Sequence, residues 1–274
     1  MPNFQVAYLA LLPAACAPVT IAPYDSPAPF GAECAVCDAH VRRGEDAPLQ
    51  FPPWATRSPY RAQLKQQERL WIKALYTDVL GRAPDACELD YWIACRDAGA
   101  SLESIVKAFQ TSEDAALARA SSCYRDFLGR EGEPAGLRGW IELLEQGTPV
   151  QDVMLGFLDS DEYRAKHPAP QAFVESLYRH LLGRAPEPAG MDRWVAALER
   201  GTSSADVVRG LLSSEEYCSK RVTELYLTLL GRKPEPAGLA GWVRGARRGM
   251  AWQEIERGFL TSAEYRARVF ARKL

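Results

Sequence analysis

The chain has 274 residues, of which 33 are Lys or Arg, 35 are Asp or Glu and 47% are hydrophobic. A chain of this length and composition buries a full core in one or two domains, which excludes an intrinsically disordered protein. Its net charge of -2 provides no global basic surface for nucleic acid or anionic lipid. No apolar run approaches the ~20 residues that span a bilayer. We therefore expect no nucleic-acid partner and no membrane span.

The first 60 residues differ from the rest of the chain. They hold ten of the 19 prolines and only eight charged residues. Because proline lacks a backbone donor and pushes its neighbours toward extended conformations, residues 1–60 are predicted to form an extended docking arm. The apolar run from Phe4 to Leu12 is similar to a signal peptide. The absence of a Lys or Arg before this run, together with Pro13 after it, argues against export by that route.

The arm also contains the candidate metal ligands. Cys34 and Cys37 are spaced as C-x-x-C, His40 follows three residues later, and Cys16 lies upstream. Three thiolates and one imidazole are the ligands of a tetrahedral zinc site. A second C-x-x-C pair is missing, so a local disulfide or free thiols remain the alternatives. Apart from this zinc ion, no cofactor is expected.

From residue 61 onward the chain repeats one unit four times. The pattern Tyr-x-x-x-Leu-Gly-Arg is followed by a Trp ten residues after the Arg, a Gly seven residues later and a Ser thirteen residues after that. Successive units are 48, 54 and 48 residues apart, which places a six-residue loop insertion at residues 166–171. We predict repeat 1 at residues 61–115, repeat 2 at 116–163, repeat 3 at 164–217, and repeat 4 with a C-terminal helix at 218–274.

Each unit is predicted to form three helices. Ser214 begins a stretch without Pro or Gly that ends at Gly231, and its apolar residues recur with the helical period of 3.6. A Pro-rich turn, a Trp-containing helix and a third amphipathic helix follow. No segment of the repeats shows the period of two that is typical of strands. The predicted fold class is all-α, with four tandem three-helix repeats after the arm.

These motifs resemble a bacterial helical repeat domain related to phycobilisome linker polypeptides, over roughly 200 residues. The fourth copy carries them at Leu230-Gly231-Arg232, Pro236-Ala237-Gly238-Leu239, Trp242 and Ser262-Ala263-Glu264-Tyr265. The first copy departs from the pattern at Ala86-Cys87-Glu88 and Ala115, which favours a capping unit. The resemblance implies a helical interaction module that holds other proteins in register, with no activity attached to the fold.

The polar and aromatic residues that recur once per unit are interpreted as structural. Each arginine follows a glycine that ends a helix, and we expect it to pair with an acid in the first turn of a helix. Each tryptophan lies on an apolar stripe and is expected to anchor the core. The residues concerned are Arg82, Arg130, Arg184 and Arg232, and Trp92, Trp140, Trp194 and Trp242.

Comparison of the four copies also gives expectations for single residues. Cys123 and Cys95 stand where other copies have Leu, so both should be buried. Cys218 aligns with Arg164 and Arg266 and is expected to be exposed, where it could form an intermolecular disulfide. His180 occupies a variable position and is expected to be solvated.

The combined features favour a non-catalytic structural or scaffolding protein. We expect the arm to dock it onto protein subunits of a larger bacterial or phage assembly, or onto further copies of itself, in a virion or at the bacterial cell surface. The alternative is a module that binds cell-envelope glycans through exposed aromatic residues, with Trp252 as the candidate contact. An enzyme is the third hypothesis, and no catalytic constellation in the sequence favours it.

Overall fold

The computed structural model describes residues 59–272, and their side chains from residue 63 onward. Every regular element in this range is helical, which confirms the all-α class. The predicted arm lies outside the described residues, except for its last two residues, which begin the first helix. None of the described helices is both long and apolar enough to cross a membrane.

The described helices recur in four sets, and the first helix of each set begins two or three residues before the predicted repeat boundary. The first repeat contains α1 (Pro59–Leu75), which continues into a π-helical turn (Tyr76–Leu80), then α2 (Ala86–Asp97) and α3 (Leu102–Gln110). The second contains α4 (Glu113–Leu128), α5 (Pro134–Glu145) and α6 (Val150–Leu158). The third contains α7 (Asp161–Lys166), α8 (Pro170–Leu177) with a π-helical turn (Tyr178–Leu182), α9 (Pro188–Glu199) and α10 (Ser204–Leu212). The fourth contains α11 (Glu215–Leu225) with a π-helical turn (Tyr226–Leu230), α12 (Pro236–Arg247) and α13 (Trp252–Thr261), and α14 (Ala263–Ala271) follows it.

The recurring serines and glycines set the bounds of the first helix of each unit. The hydroxyl oxygens of Ser160, Ser214 and Ser262 accept a hydrogen bond from the backbone N–H three residues later, at 3.2, 3.2 and 3.1 Å. These contacts satisfy a donor that a helix N-terminus otherwise leaves unpaired. The glycines of the Leu-Gly-Arg motifs end the helices with φ between 64° and 75°, a region that disfavours other residues.

The insertion in the third repeat interrupts the first helix of that unit. Residues 167–169 separate α7 from α8, whereas α4 and α11 with its π-helical turn run without a break. The loop is therefore shorter than the predicted 166–171, because Pro170 begins α8 at the first helical position, where its missing N–H costs nothing.

The described residues divide into two compact units. Residues 113–259 form one unit, and residues 59–112 together with 260–272 form the other. In the second of these units, α14 packs against α1. Leu260, Tyr265 and Val269 are fully buried, as are Trp71, Ile72 and Leu75 of α1. The last described helix thus contributes to the core around the first helix, although almost 200 residues separate them in sequence.

Candidate functional site

Each repeat contains a cluster built around its Leu-Gly-Arg arginine. In the second repeat the Arg130 guanidinium lies 4.9 Å from the centre of the Tyr124 ring. Its Nη1 donates to Glu133 at 2.5 Å, and its Nη2 donates to Glu162 at 2.7 Å. The guanidinium lowers the pKa of Glu162 to about 2. Arg184 makes the same set of contacts with Tyr178, Glu187 and Glu216. Arg232 likewise lies over Tyr226.

The first repeat builds the same cluster from different residues. Arg82 lies over the Tyr76 ring, but its bidentate partner is Glu88, at 2.6 and 2.9 Å. Asp85 caps α2 and stands where the other copies have Glu. Glu88 stands where the other copies have the glycine of Pro-Ala-Gly. The acid that pairs with the arginine therefore lies one helical turn later in the first repeat, and the ion pair is retained.

The four repeated tryptophans pack inside their own repeats. Trp92 is 5% exposed, and the other three are half-buried. The indole of Trp140 stacks on Phe157 with ring centres 4.7 Å apart, and it covers Gly156 so closely that a Cβ there would lie 2.5 Å away. Trp194 covers Gly210 in the same way. The structure therefore places these rings, like the arginines, in recurring packing contacts.

The expectations that Cys218 and Trp252 are exposed are wrong. Cys218 is 1% exposed, because its short side chain lies against the end of the preceding helix α10, with Sγ 3.8 Å from Leu212 O. Arg164, at the equivalent position, extends outward and is 49% exposed. Trp252 is 8% exposed and packs against the Tyr217 ring at 6.0 Å. Neither a surface thiol at Cys218 nor an exposed aromatic contact at Trp252 exists in this fold, so the glycan hypothesis loses its named contact.

Of the three remaining described cysteines, two are buried, as the comparison of copies predicted, and one is exposed. Cys95 is 2% exposed and Cys123 is 8% exposed, and burial raises the pKa of Cys123 to about 12. Cys87 is exposed. The zinc or disulfide site predicted at Cys16, Cys34, Cys37 and His40 lies outside the described residues. Within residues 59–272, no group of three or more His, Cys, Asp or Glu side chains could hold a metal ion.

His180 is not solvated, contrary to expectation. It is half-buried, and burial lowers its pKa to about 4, with a further contribution from His167. The Tyr163 hydroxyl donates to Ser176 Oγ at 2.9 Å, and Ser176 donates to the Phe173 carbonyl at 2.8 Å. Tyr163 Oη can then only accept from His180 Nδ1, which lies 2.8 Å away. This relay assigns the proton of the neutral imidazole to Nδ1 and leaves Nε2 as an acceptor.

A cleft in the unit of residues 113–259 brings His180 together with residues of three other helices. Asp126 and Phe127 of α4, Met154 of α6, Leu181 of the π-helical turn after α8 and Lys220 of α11 contribute to its walls. With its open mouth the cleft has a volume of about 540 Å³. Sequence reasoning did not find it, because these residues have no common motif and meet only through packing of the repeats.

The compact unit of residues 59–112 and 260–272 contains a similar hydrogen bond from a buried tyrosine. Tyr265 of α14 donates to Asp78 at 2.7 Å, and Asp78 occupies the repeat position of His180. Arg272 lies 3.7 Å from the same carboxylate, and burial raises the pKa of Asp78. Trp71 Nε1 donates to the Leu260 carbonyl at 3.0 Å. The tyrosine of α14 thus bonds the π-helical turn after α1 in the same way that the tyrosine of α7 bonds the π-helical turn after α8.

Comparison with known families gives one match. The model described as "Domain of unknown function (DUF4214)" matches residues 58–118, 120–167 and 163–221. These three ranges cover more than half of the chain and coincide with the first three repeats. Comparisons with curated proteins and with solved structures give no match.

Proposed function

The chain belongs to the DUF4214 domain family, and from this premise we propose that it is a non-catalytic structural or scaffolding protein whose repeats bind other proteins. We also propose that residues 1–60 dock the protein onto neighbouring subunits of a larger bacterial or phage assembly. A virion or a bacterial cell surface is the setting we propose. The resemblance of the motifs to phycobilisome linker polypeptides favours a role in holding subunits in register.

The packing of α14 on α1 is the observation that carries this proposal. α14 begins with the Ser-x-Glu-Tyr motif, and in α7 the same motif belongs to the repeat that follows it in sequence. On α1 this helix is held by side-chain packing, by the Tyr265–Asp78 hydrogen bond and by Trp71, with no nearby covalent connection. Repeat surfaces that recognise such a helix from a distant part of the chain can recognise one on another subunit by the same contacts.

The recurring charged residues support the same conclusion. Arg130 and Arg184 each lie just after the first helix of their own repeat and join it to the first turn of the next repeat through Glu162 and Glu216. An enzyme needs one asymmetric constellation, whereas these contacts recur with the repeat period. Contacts that recur with the repeat period hold neighbouring repeats together, which suits a scaffold.

Static light scattering tests the proposal. The full-length protein and a truncated protein of residues 59–274 are compared, each with and without reductant, for absolute mass alone and mixed with candidate assembly subunits. We expect the full-length protein to form a defined oligomer or complex, and the truncated protein to associate more weakly through its repeats alone. Equal association by both proteins with every partner contradicts the docking role of residues 1–60. A monomer that binds no subunit in either form contradicts the scaffold role.

A further inference from the structure

An ion pair recurs between the first and second helices of two repeats. In the first repeat Lys65 of α1 pairs at 2.7 Å with Asp97, the last residue of α2. In the fourth repeat the same two positions hold Glu215, the first residue of α11, and Arg247, the last residue of α12, which pair at 3.3 Å. The two pairs have opposite polarity. The position therefore requires complementary charges rather than a particular residue.

The second repeat has an acid at both of these positions. Glu113 begins α4, and Glu145 ends α5. The pKa of Glu145 is raised by partial burial and by the charges of Glu113 and of Glu142, which lies one turn earlier in α5. None of these three side chains forms a hydrogen bond or an ion pair with another described residue. The fold thus leaves three like charges without compensation.

Exposed apolar side chains accompany these acids. Leu117 follows Glu113 by one helical turn and is 43% exposed, and Leu143 is 41% exposed. Of the four large hydrophobic side chains that are exposed in the described part of the chain, two therefore lie here. Exposed apolar groups that lie together mark interaction surfaces. We call Glu113, Leu117, Glu142, Leu143 and Glu145 the acidic face.

The fourth repeat presents the opposite charge at equivalent positions. Arg244 and Arg247 stand where α5 has its two acids, and Arg248 follows them. All three are exposed, and Arg244 and Arg248 form no ion pair with another described residue. Met250 is 39% exposed, and its side chain lies against Gly245, which holds the repeat position of the exposed α5 leucine. We call Arg244, Arg247, Arg248 and Met250 the basic face.

The segments that follow the two faces lie against each other. The Val150 N–H donates to Gln253 Oε1 at 3.2 Å, and the Trp252 N–H donates to Gln151 Oε1 at 3.3 Å. Val150 and Trp252 hold the same repeat position, as do the two glutamines, so these contacts are reciprocal. Gln253 Nε2 also donates to the Thr148 carbonyl at 3.0 Å. A local two-fold axis therefore relates the starts of α6 and α13, with the acidic face on one side of it and the basic face on the other.

We propose that a second copy of this chain covers this surface in a two-fold dimer, in which the acidic face of each copy contacts the basic face of the other. A copy turned face to face places acid over base on both sides of the local axis, so the surface is complementary to itself. The exposed leucines and methionine lose contact with water in the same interface. This inference rests on the proposed role of the repeats in binding proteins, and it names the partner as a second copy.

Reversal of the charges on one face or on both tests the dimer. Static light scattering measures the mass of the full-length protein in reductant, over a range of protein concentrations and at low and high ionic strength. We expect a wild-type dimer that dissociates on dilution, and more readily at high ionic strength. E142R/E145R and R244E/R248E should each raise the dissociation constant at least about tenfold, because the reversed face meets a like charge. An equimolar mixture of the two variants should dimerise like wild type, as should a chain that carries all four substitutions.

The structure supplies controls for the reversals. Glu199 is exposed and ends α9, at the position that Glu145 has in α5, so E199R should keep the wild-type dissociation constant. E145R places a base opposite Glu113, as the fourth repeat does with its own pair, and should not lower the unfolding midpoint. Far-UV circular dichroism confirms that each variant is folded.

Three results would overturn the inference. One is a wild-type protein that stays monomeric at every concentration. The second is an unchanged dissociation constant in both folded reversal variants. The third is a mixture of the two variants that associates no better than either alone. A dimer that survives both reversals and is lost on removal of residues 1–60 refutes this interface while it supports the docking role of that segment.

Discussion

Replacement of Gly136 by Ala tests the packing of the Tyr–Arg–Glu clusters. Gly136 lies in α5, where an added Cβ would be 2.7 Å from Glu133 Oε1 and closer still to Tyr124 Oη. Tyr124 cannot simply swing aside, because it is 4% exposed and its ring packs edge-on against Phe157 at 4.8 Å. Overpacking of this kind costs about 1–3 kcal/mol. Alanine recovers about 1 kcal/mol through its higher helix propensity.

Gly139→Ala, one turn later in the same helix, is the matched control. A Cβ at Gly139 has no atom within 4 Å, so this variant gains helix propensity without a clash. The difference in unfolding free energy between the two variants therefore isolates the clash, and we expect G136A to be less stable by about 1–3 kcal/mol. Urea unfolding followed by far-UV circular dichroism measures it, and Y124F should restore part of the loss in G136A. A midpoint for G136A equal to or above that of G139A refutes the packing argument.

Three further predictions concern single groups. D126N should raise the unfolding midpoint at pH 7. The pKa of the Asp126 carboxyl is raised in the folded state, so the ionised carboxylate destabilises the fold and a neutral amide removes that cost. The gain should vanish below about pH 4, where the carboxyl is protonated, and a constant gain across pH contradicts this reasoning. Tyr265→Phe and Asp78→Asn, combined in a double-mutant cycle of urea unfolding, should show a coupling of about 1 kcal/mol, and additivity would exclude the bond across α14 and α1. In the truncated protein of residues 59–274, a thiol reagent should label Cys87 alone in the native state, and the other three thiols should react only on unfolding. Rapid labelling of more than one thiol argues against their burial.

The helices and their caps were predictable because they depend on local sequence. Ser214 begins a helix and Gly231 ends one through hydrogen bonds and backbone angles that involve only the next few residues. The comparison of copies also placed Cys95 and Cys123 in buried positions. It failed for Cys218 and Trp252, because alignment shows which positions vary without showing which neighbour covers them.

The charged clusters were predictable only in part. The sequence indicated that Arg130 and Arg184 would pair with acids in the first turn of a helix, since both groups recur with fixed spacing. It did not indicate that Glu133 and Glu187 share the same arginines, or that Glu88 replaces them in the first repeat. Those contacts depend on the path of the Pro-rich turn, which brings the helix start back toward the arginine.

By itself the sequence determined the all-α class, four copies of a three-helix unit and the bounds of the helices, because the period of 3.6, the Ser caps and the Gly stops act within one or two turns. Only the tertiary structure decided that α14 joins the core around α1 and that Asp126, His180 and Lys220 line one cleft. These groups are far apart in sequence. Their proximity depends on how side chains of separate repeats fill space, and no local pattern encodes that arrangement.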